Sequence, residues 1–182
     1  MPDRGAIFAG WVGLGMAVVI AISFELVVAI QSIVFMLAPV TGVLIGFYAN
    51  ARSERRRPWW RLFVNAAYAG LVTGLSLALL YGGIRLLFVY ADNGYRDPGL
   101  GGQIICTTGP SCTYERYLDA GRGDELTRLG VSDAQTFERY VLAEQLNGAL
   151  TLFGLTTGGA LVGGALYGLA GRSNGSRPAY AT

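Results

Sequence analysis
From Ala6 to Tyr48, about 43 residues, the chain carries a single charged side chain, Glu25. As one straight helix this block would be about 65 Å long, roughly twice the ~30 Å hydrocarbon thickness of a bilayer. It therefore has to fold back. Two spans of about 20 residues turning near Leu26 to Ala29 satisfy the length, with Glu25, Gln31 and Ser32 flanking the turn. No Gly, Pro or Asn marks that turn, and Pro39 offers another break. The alternative is then one long tilted helix followed by a short re-entrant piece. The hairpin is the favoured expectation. A signal sequence would carry only about 7–15 apolar residues before its cleavage site, so no cleavage is expected here.

Two further apolar blocks, Leu62 to Tyr90 and Leu142 to Ala170, bracket a polar stretch of about 50 residues. The spacing predicts an all-α membrane protein: a four-helix transmembrane bundle with a small, mostly helical extracytoplasmic domain between spans 3 and 4. The spans are expected at about 6–26, 29–49 and 62–90, with an Arg-rich loop at 50–61. The outer domain is expected at 91–141, and the fourth span with its tail at 142–182. Composition agrees: 52% of residues are hydrophobic and 14% charged, against about 25% charged in soluble proteins.

The loop at 50–61 holds five arginines (Arg52, Arg55, Arg56, Arg57 and Arg61) against Glu54. Short basic loops stay in the cytoplasm, which sets both termini inside and 91–141 outside. The segments so placed inside contain eight arginines and two acids; the outer one, through Glu144, contains five and nine. A three-span chain would move only the N-terminus and keep this asymmetry. The expected location is the plasma (inner) membrane of a bacterial cell. Arg55, Arg56 and Arg57 beside Trp59 and Trp60 read as a membrane anchor with an aromatic belt in contact with anionic lipid. So short a cluster calls for no nucleic-acid partner.

Small residues recur at every fourth position, hence on one helix face. The third span carries Ala66, Gly70, Gly74, Ala78 and Gly82; the fourth carries Ala160, Gly164 and Gly168, with Gly154–Gly158 and Gly159–Gly163 beside them. Shorter stripes occupy the first span (Ala9, Gly13, Ala17, Ala21) and the second (Ala38, Gly42, Gly46). Such faces let helix backbones approach closely where lipid supplies no hydrophobic force. Whether each stripe is used within the chain or against another protein is left open.

Glu25, Arg85 and Glu144 form a candidate charge cluster at the outer lip. Arg85 lies 23 positions beyond Leu62, about 35 Å along a helix. The bland reading is interfacial snorkelling. A transport role for Glu25 would need it near the bilayer midplane, which only the Pro39 break allows.

In the outer segment Cys106 and Cys112 enclose Thr107-Thr108-Gly109-Pro110-Ser111, and a disulfide is expected there. Short helices are expected around Tyr114, Tyr117 and Leu118 with a stop at Gly121, then in a second piece capped by Asp124 and running through Leu129 with a stop at Gly130. Ser132 with Gln135 reads as a capping box for a third helix that continues into the fourth span. Phe137 and Val141 are expected to pack on Leu118, Leu126 and Leu129. The acids Asp119, Asp124, Glu125, Asp133 and Glu138 lack the spacing of a calcium loop, and Arg122-Gly123-Asp124 is too short a match to carry an adhesion role.

Histidine and lysine are absent: the 14 basic residues are all arginine. That excludes imidazole bases and histidine metal ligands, and no metal or cofactor is expected. The expected function is non-enzymatic: a scaffold or accessory subunit whose partners are membrane lipids and another membrane protein or further copies of itself. The alternative is a small oligomeric transporter or channel using Glu25 and Arg85. An intramembrane enzyme ranks last, since no paired carboxylates or thiols lie at membrane depth.

Overall fold
The structure, a computed structural model, describes residues 1–27, 31–53, 58–91 and 108–173. Val28 and Ala29 of the expected turn, Arg55, Arg56, Arg57, Cys106 and Arg177 lie outside the described residues. Among those described, every regular element is helical: α1 (Arg4–Ala21), a π-helical segment (Ile22–Val27), α2 (Gln31–Ala51), α3 (Trp59–Tyr90), α4 (Pro110–Asp119), α5 (Gly123–Arg128) and α6 (Ala134–Ser173). Four stretches are long and apolar enough to cross a membrane: Arg4–Glu25, Ser32–Ala51, Trp59–Tyr90 and Ala134–Ala170. In hydrocarbon every backbone N–H must find its partner within the segment, so apolar runs of this length adopt helix.

The first block is thus two helices, and Pro39 lies inside α2 rather than ending it. A proline there deprives the Phe35 carbonyl of its usual i+4 donor, yet the helix continues on both sides.

The chain divides into two compact units: Met1–Tyr81 together with the chain from Ala149 onward, and Gly82–Gly148. Both unit boundaries fall inside helices, α3 and α6. The first unit is built on small side chains. Ala17, Ile20, Val34, Ala38, Leu77, Tyr81 and Leu152 form one cluster; Ala6, Ala9, Ile45, Ala49 and Ala69 form another. Phe35 meets Tyr81 edge to face at 5.8 Å, and Phe47 meets Tyr167 at 5.4 Å.

In the second unit Leu126, Val131, Phe137 and Val141 make the core, flanked by Val89 of α3 and by Tyr114, Tyr117 and Tyr140. Leu126 packs there as expected, while Leu118 and Leu129 stay about half exposed; Tyr114 and Tyr117 take their place, their rings 5.6 and 5.3 Å from Phe137. A tyrosine packs its ring and keeps its hydroxyl bonded: Tyr114 Oη donates to the Ser132 carbonyl at 3.1 Å. Both glycine stops occur where expected, at φ +73° for Gly121 and +76° for Gly130. Each closes a Schellman motif. Arg122 N–H bonds the Tyr117 carbonyl after α4, and Val131 N–H bonds the Leu126 carbonyl after α5.

Two capping expectations are corrected. The residue preceding α5 is Arg122, without a side-chain cap; Asp124 lies in the first turn. At α6 the reciprocal cap is Asp133 with Thr136, one position beyond Ser132–Gln135. Asp133 Oδ1 accepts from Thr136 N–H at 2.8 Å, and Thr136 Oγ1 accepts from Asp133 N–H at 3.1 Å. The short threonine hydroxyl closes the box that glutamine was expected to close.

Candidate functional site
The glycines of α6 lie against two different helices. A Cβ added at Gly159 would collide with the Pro39 carbonyl oxygen, and one at Gly163 with that of Val43. In return, a Cβ at Gly42 would strike the Thr156 carbonyl oxygen, and one at Gly46 that of Ala160. Backbone meets backbone from both sides, so α2 and α6 share a reciprocal seam that no side chain fits. A second seam joins α6 to α3. Added Cβ atoms would stand 2.5 Å from Ala160 Cβ at Gly70, 3.1 Å from the Phe153 carbonyl oxygen at Gly74, and 2.7 Å from Ala66 Cβ at Gly164. At Gly168 the neighbour is the Trp59 ring, 2.6 Å away. Ala160 is therefore wedged between Gly46 and Gly70. Ala78 is buried, but at Gly82 an added Cβ meets nothing within 4 Å among the described residues, and the same holds for Gly154 and Gly158.

Where the Arg-rich loop leaves α2 and enters α3, a polar knot lies within the first unit. Asn50 and Asn65 are both fully buried. Asn65 Nδ2 donates to Asp3 Oδ2 at 2.8 Å while Asn65 Oδ1 accepts from Asp3 N–H at 3.1 Å. Longer contacts run from Asn65 Nδ2 to Ser53 Oγ at 3.3 Å and Asn50 Oδ1 at 3.5 Å. Asn50 Nδ2 reaches the carbonyls of Gly46 and Leu62, each at 3.1 Å, stitching the end of α2 to the start of α3. Arg61 stands 3.7 Å from Asp3 Oδ1 and lies over the Trp60 ring at 4.7 Å; Trp59 stacks on Phe63 at 6.0 Å. None of the motifs read from the sequence marks this knot. Its local trace is two asparagines bracketing the basic loop, Asn50 two residues before Arg52 and Asn65 four after Arg61, and nothing local points to Asp3.

Three hydroxyls of the bundle are used locally. Thr73, Ser76 and Thr156 each donate to the carbonyl four residues back on their own helix, at 2.8 Å. Thr157 approaches the Gly70 carbonyl at 3.5 Å, across the α3–α6 seam.

Glu25 sits in the π-helical segment and is only 3% exposed. Arg85, half-buried on α3, and Glu144, exposed on α6, belong to the second unit. In that unit Cys112 is buried on α4. Arg122 makes a two-point ion pair with Glu125, at 2.8 and 3.0 Å, over the Tyr117 ring. The pair holds the Glu125 carboxyl below its ordinary range, chiefly through the hydrogen bond from Arg122. Hydrogen bonds from Thr136 do the same for Asp133. Among the described residues, no three Cys, Asp or Glu side chains converge as metal ligands would. No protein-family model, curated protein or solved structure matches the chain.

Proposed function
We propose that this chain is a non-enzymatic integral membrane protein, a scaffold or accessory subunit of a complex in the plasma (inner) membrane of a bacterial cell. The observation that carries the reading is the way the bundle's polar groups are spent. The hydroxyls of Thr73, Ser76 and Thr156 bond their own helices, and the two buried asparagines bond one another's neighbourhood at one end. A transport path needs polar groups facing a route through the membrane.

In this reading both termini and the loop at 50–61 face the cytoplasm, where Arg55, Arg56, Arg57, Trp59 and Trp60 anchor the bundle. The acidic unit lies outside, its Cys106–Cys112 loop closed by a disulfide. Glycine faces away from the internal seams, such as Gly154 and Gly158, are open to a partner helix.

One observation favours a second reading, a small oligomeric transporter or channel using Glu25 and Arg85. Glu25 is a buried carboxylate within a π-helical segment, and such segments concentrate at functional sites. Native mass spectrometry of the protein released from its own membranes separates the two. A foreign subunit in fixed stoichiometry supports the scaffold; a homo-oligomer alone selects the transporter; a solitary monomer refutes both.

A further inference from the structure
At the end of the bundle where the basic loop lies, two pairs of residues one helical turn apart face each other across α1 and α2. Phe8 and Tyr48 form the inner pair, their rings 6.4 Å apart and tilted by 45°. Arg4 precedes Phe8 by four residues and Arg52 follows Tyr48 by four, so each arginine shares its helix face with an aromatic. Because α1 starts and α2 ends at this level, both arginines lie one turn beyond the aromatics, and both are exposed.

Arg52 is held in place. A Cβ at Gly5 would stand 2.7 Å from the Arg52 carbonyl carbon and oxygen, so only glycine lets the first turn of α1 lie against that backbone. The guanidinium lies 5.4 Å from the Phe8 ring centroid and 5.8 Å from that of Tyr48. Its Nε donates to Tyr48 Oη at 3.1 Å, which leaves the two terminal NH2 groups as the donors for a ligand. The nearby acid, Asp3, is engaged with Asn65 and Arg61, its side chain 11% exposed. The open N–H groups at the start of α1 add favourable potential for an anion.

We propose that Arg4, Phe8, Tyr48 and Arg52 form a headgroup site for an anionic phospholipid. The two guanidinium groups take the phosphodiester, and the aromatic pair lies under the glycerol and upper acyl carbons. The inference rests on the membrane-spanning reading of the chain and not on the scaffold role. Planar guanidinium suits phosphate because it donates in a fork, and stacking on rings orders it before the lipid arrives.

The test is native mass spectrometry of the purified protein offered equal amounts of phosphatidylglycerol and phosphatidylcholine, scoring which lipid is retained. The wild type should favour phosphatidylglycerol by about tenfold or more, because the choline ammonium of phosphatidylcholine neutralises its phosphodiester and is repelled by guanidiniums held in place around it. Arg52→Lys preserves the charge but not the fork or the stack, and should lose most of the preference. Phe8→Leu should do likewise. Arg128→Gln, which removes a positive charge from the other unit, should retain it. Arg4→Gln lies on an exposed position and serves where another variant loses its fold. Arg52→Lys behaving as wild type would reduce the site to plain charge and overturn the proposal. Retention of inorganic phosphate by lipid-free protein, at the same sensitivity to Arg52→Lys, would assign a soluble anion instead and equally overturn it. A chain recovered outside the membrane fraction would remove the membrane reading itself, a separate failure.

Discussion

Replacing Gly163 by alanine tests the α2–α6 seam at the point where it has no room. The added methyl would lie 2.8 Å from the Phe47 nitrogen and 2.9 Å from the Val43 carbonyl carbon, with the Val43 oxygen nearer still. These are backbone atoms, so no rotamer change relieves the contact. Moving the Phe47 nitrogen from 2.8 to 3.4 Å requires the helices to part by at least about 0.6 Å. A gap of about 0.5–1 Å forfeits a quarter to a half of each contact along the seam, and Gly42, Gly46 and Gly159 lose theirs together. Overpacking of this kind costs about 2–3 kcal/mol. Alanine's better helix propensity offsets roughly 1 kcal/mol, leaving a net loss of about 1–2 kcal/mol. Gly158→Ala, five residues away on the same helix, meets nothing within 4 Å and keeps only the propensity gain. The two variants should therefore shift the unfolding midpoint in opposite directions, followed by tryptophan fluorescence during SDS titration in mild detergent. The double variant Gly46→Ala/Gly163→Ala should lose less than the sum of its parts, because the helices have already separated. Equal midpoints for Gly163→Ala and Gly158→Ala, or strict additivity in the double, would refute the reciprocal seam.

Asn65→Leu removes the partner of both Asp3 N–H and Asp3 Oδ2 in a buried site, and should destabilise the first unit by about 2–4 kcal/mol. A double-mutant cycle with Asp3→Ala should show coupling of about 1 kcal/mol or more; independent effects would remove the knot. Since the Asp133 carboxyl is held below its ordinary 3.8 in the folded chain, its cap is fully present above that pH and is lost as pH falls through the lower folded value. Amide exchange in the first turn of α6 should accelerate on such acidification in wild type but not in Asp133→Asn; identical pH profiles would rule out the cap. If Cys106 and Cys112 are joined, neither takes up a thiol-alkylating reagent in denaturant until reduced. Reduction should then weaken the second unit by about 2–2.5 kcal/mol.

Much of the helical layout was legible along the chain. Apolar blocks longer than a bilayer is thick must fold back, and the two glycines after α4 and α5 stop helices by backbone geometry alone. The errors were of side-chain reach. Ser132–Gln135 carried the familiar capping pattern, but Asp133 and Thr136 sit one register later with shorter, better-placed oxygens. Leu118 and Leu129 ranked above tyrosine on hydropathy, yet tyrosine rings surround Phe137 because a ring can pack while its hydroxyl reaches a carbonyl. The knot of Asp3, Asn50 and Asn65 was invisible because Asp3 and Asn65 are 62 residues apart and no local pattern ties them.

The amino-acid order alone was enough for four long apolar helices, because without water the backbone has no other way to satisfy its hydrogen bonds. It also supplied the stripes of small residues. It could not say which stripe meets which. Gly46 and Gly163 lie against backbone, while Gly82, Gly154 and Gly158, spaced just as regularly, meet open space. A missing side chain permits close approach but attracts nothing by itself. Which helix takes up that permission depends on the fit of whole surfaces, and that fit exists only once the helices are side by side.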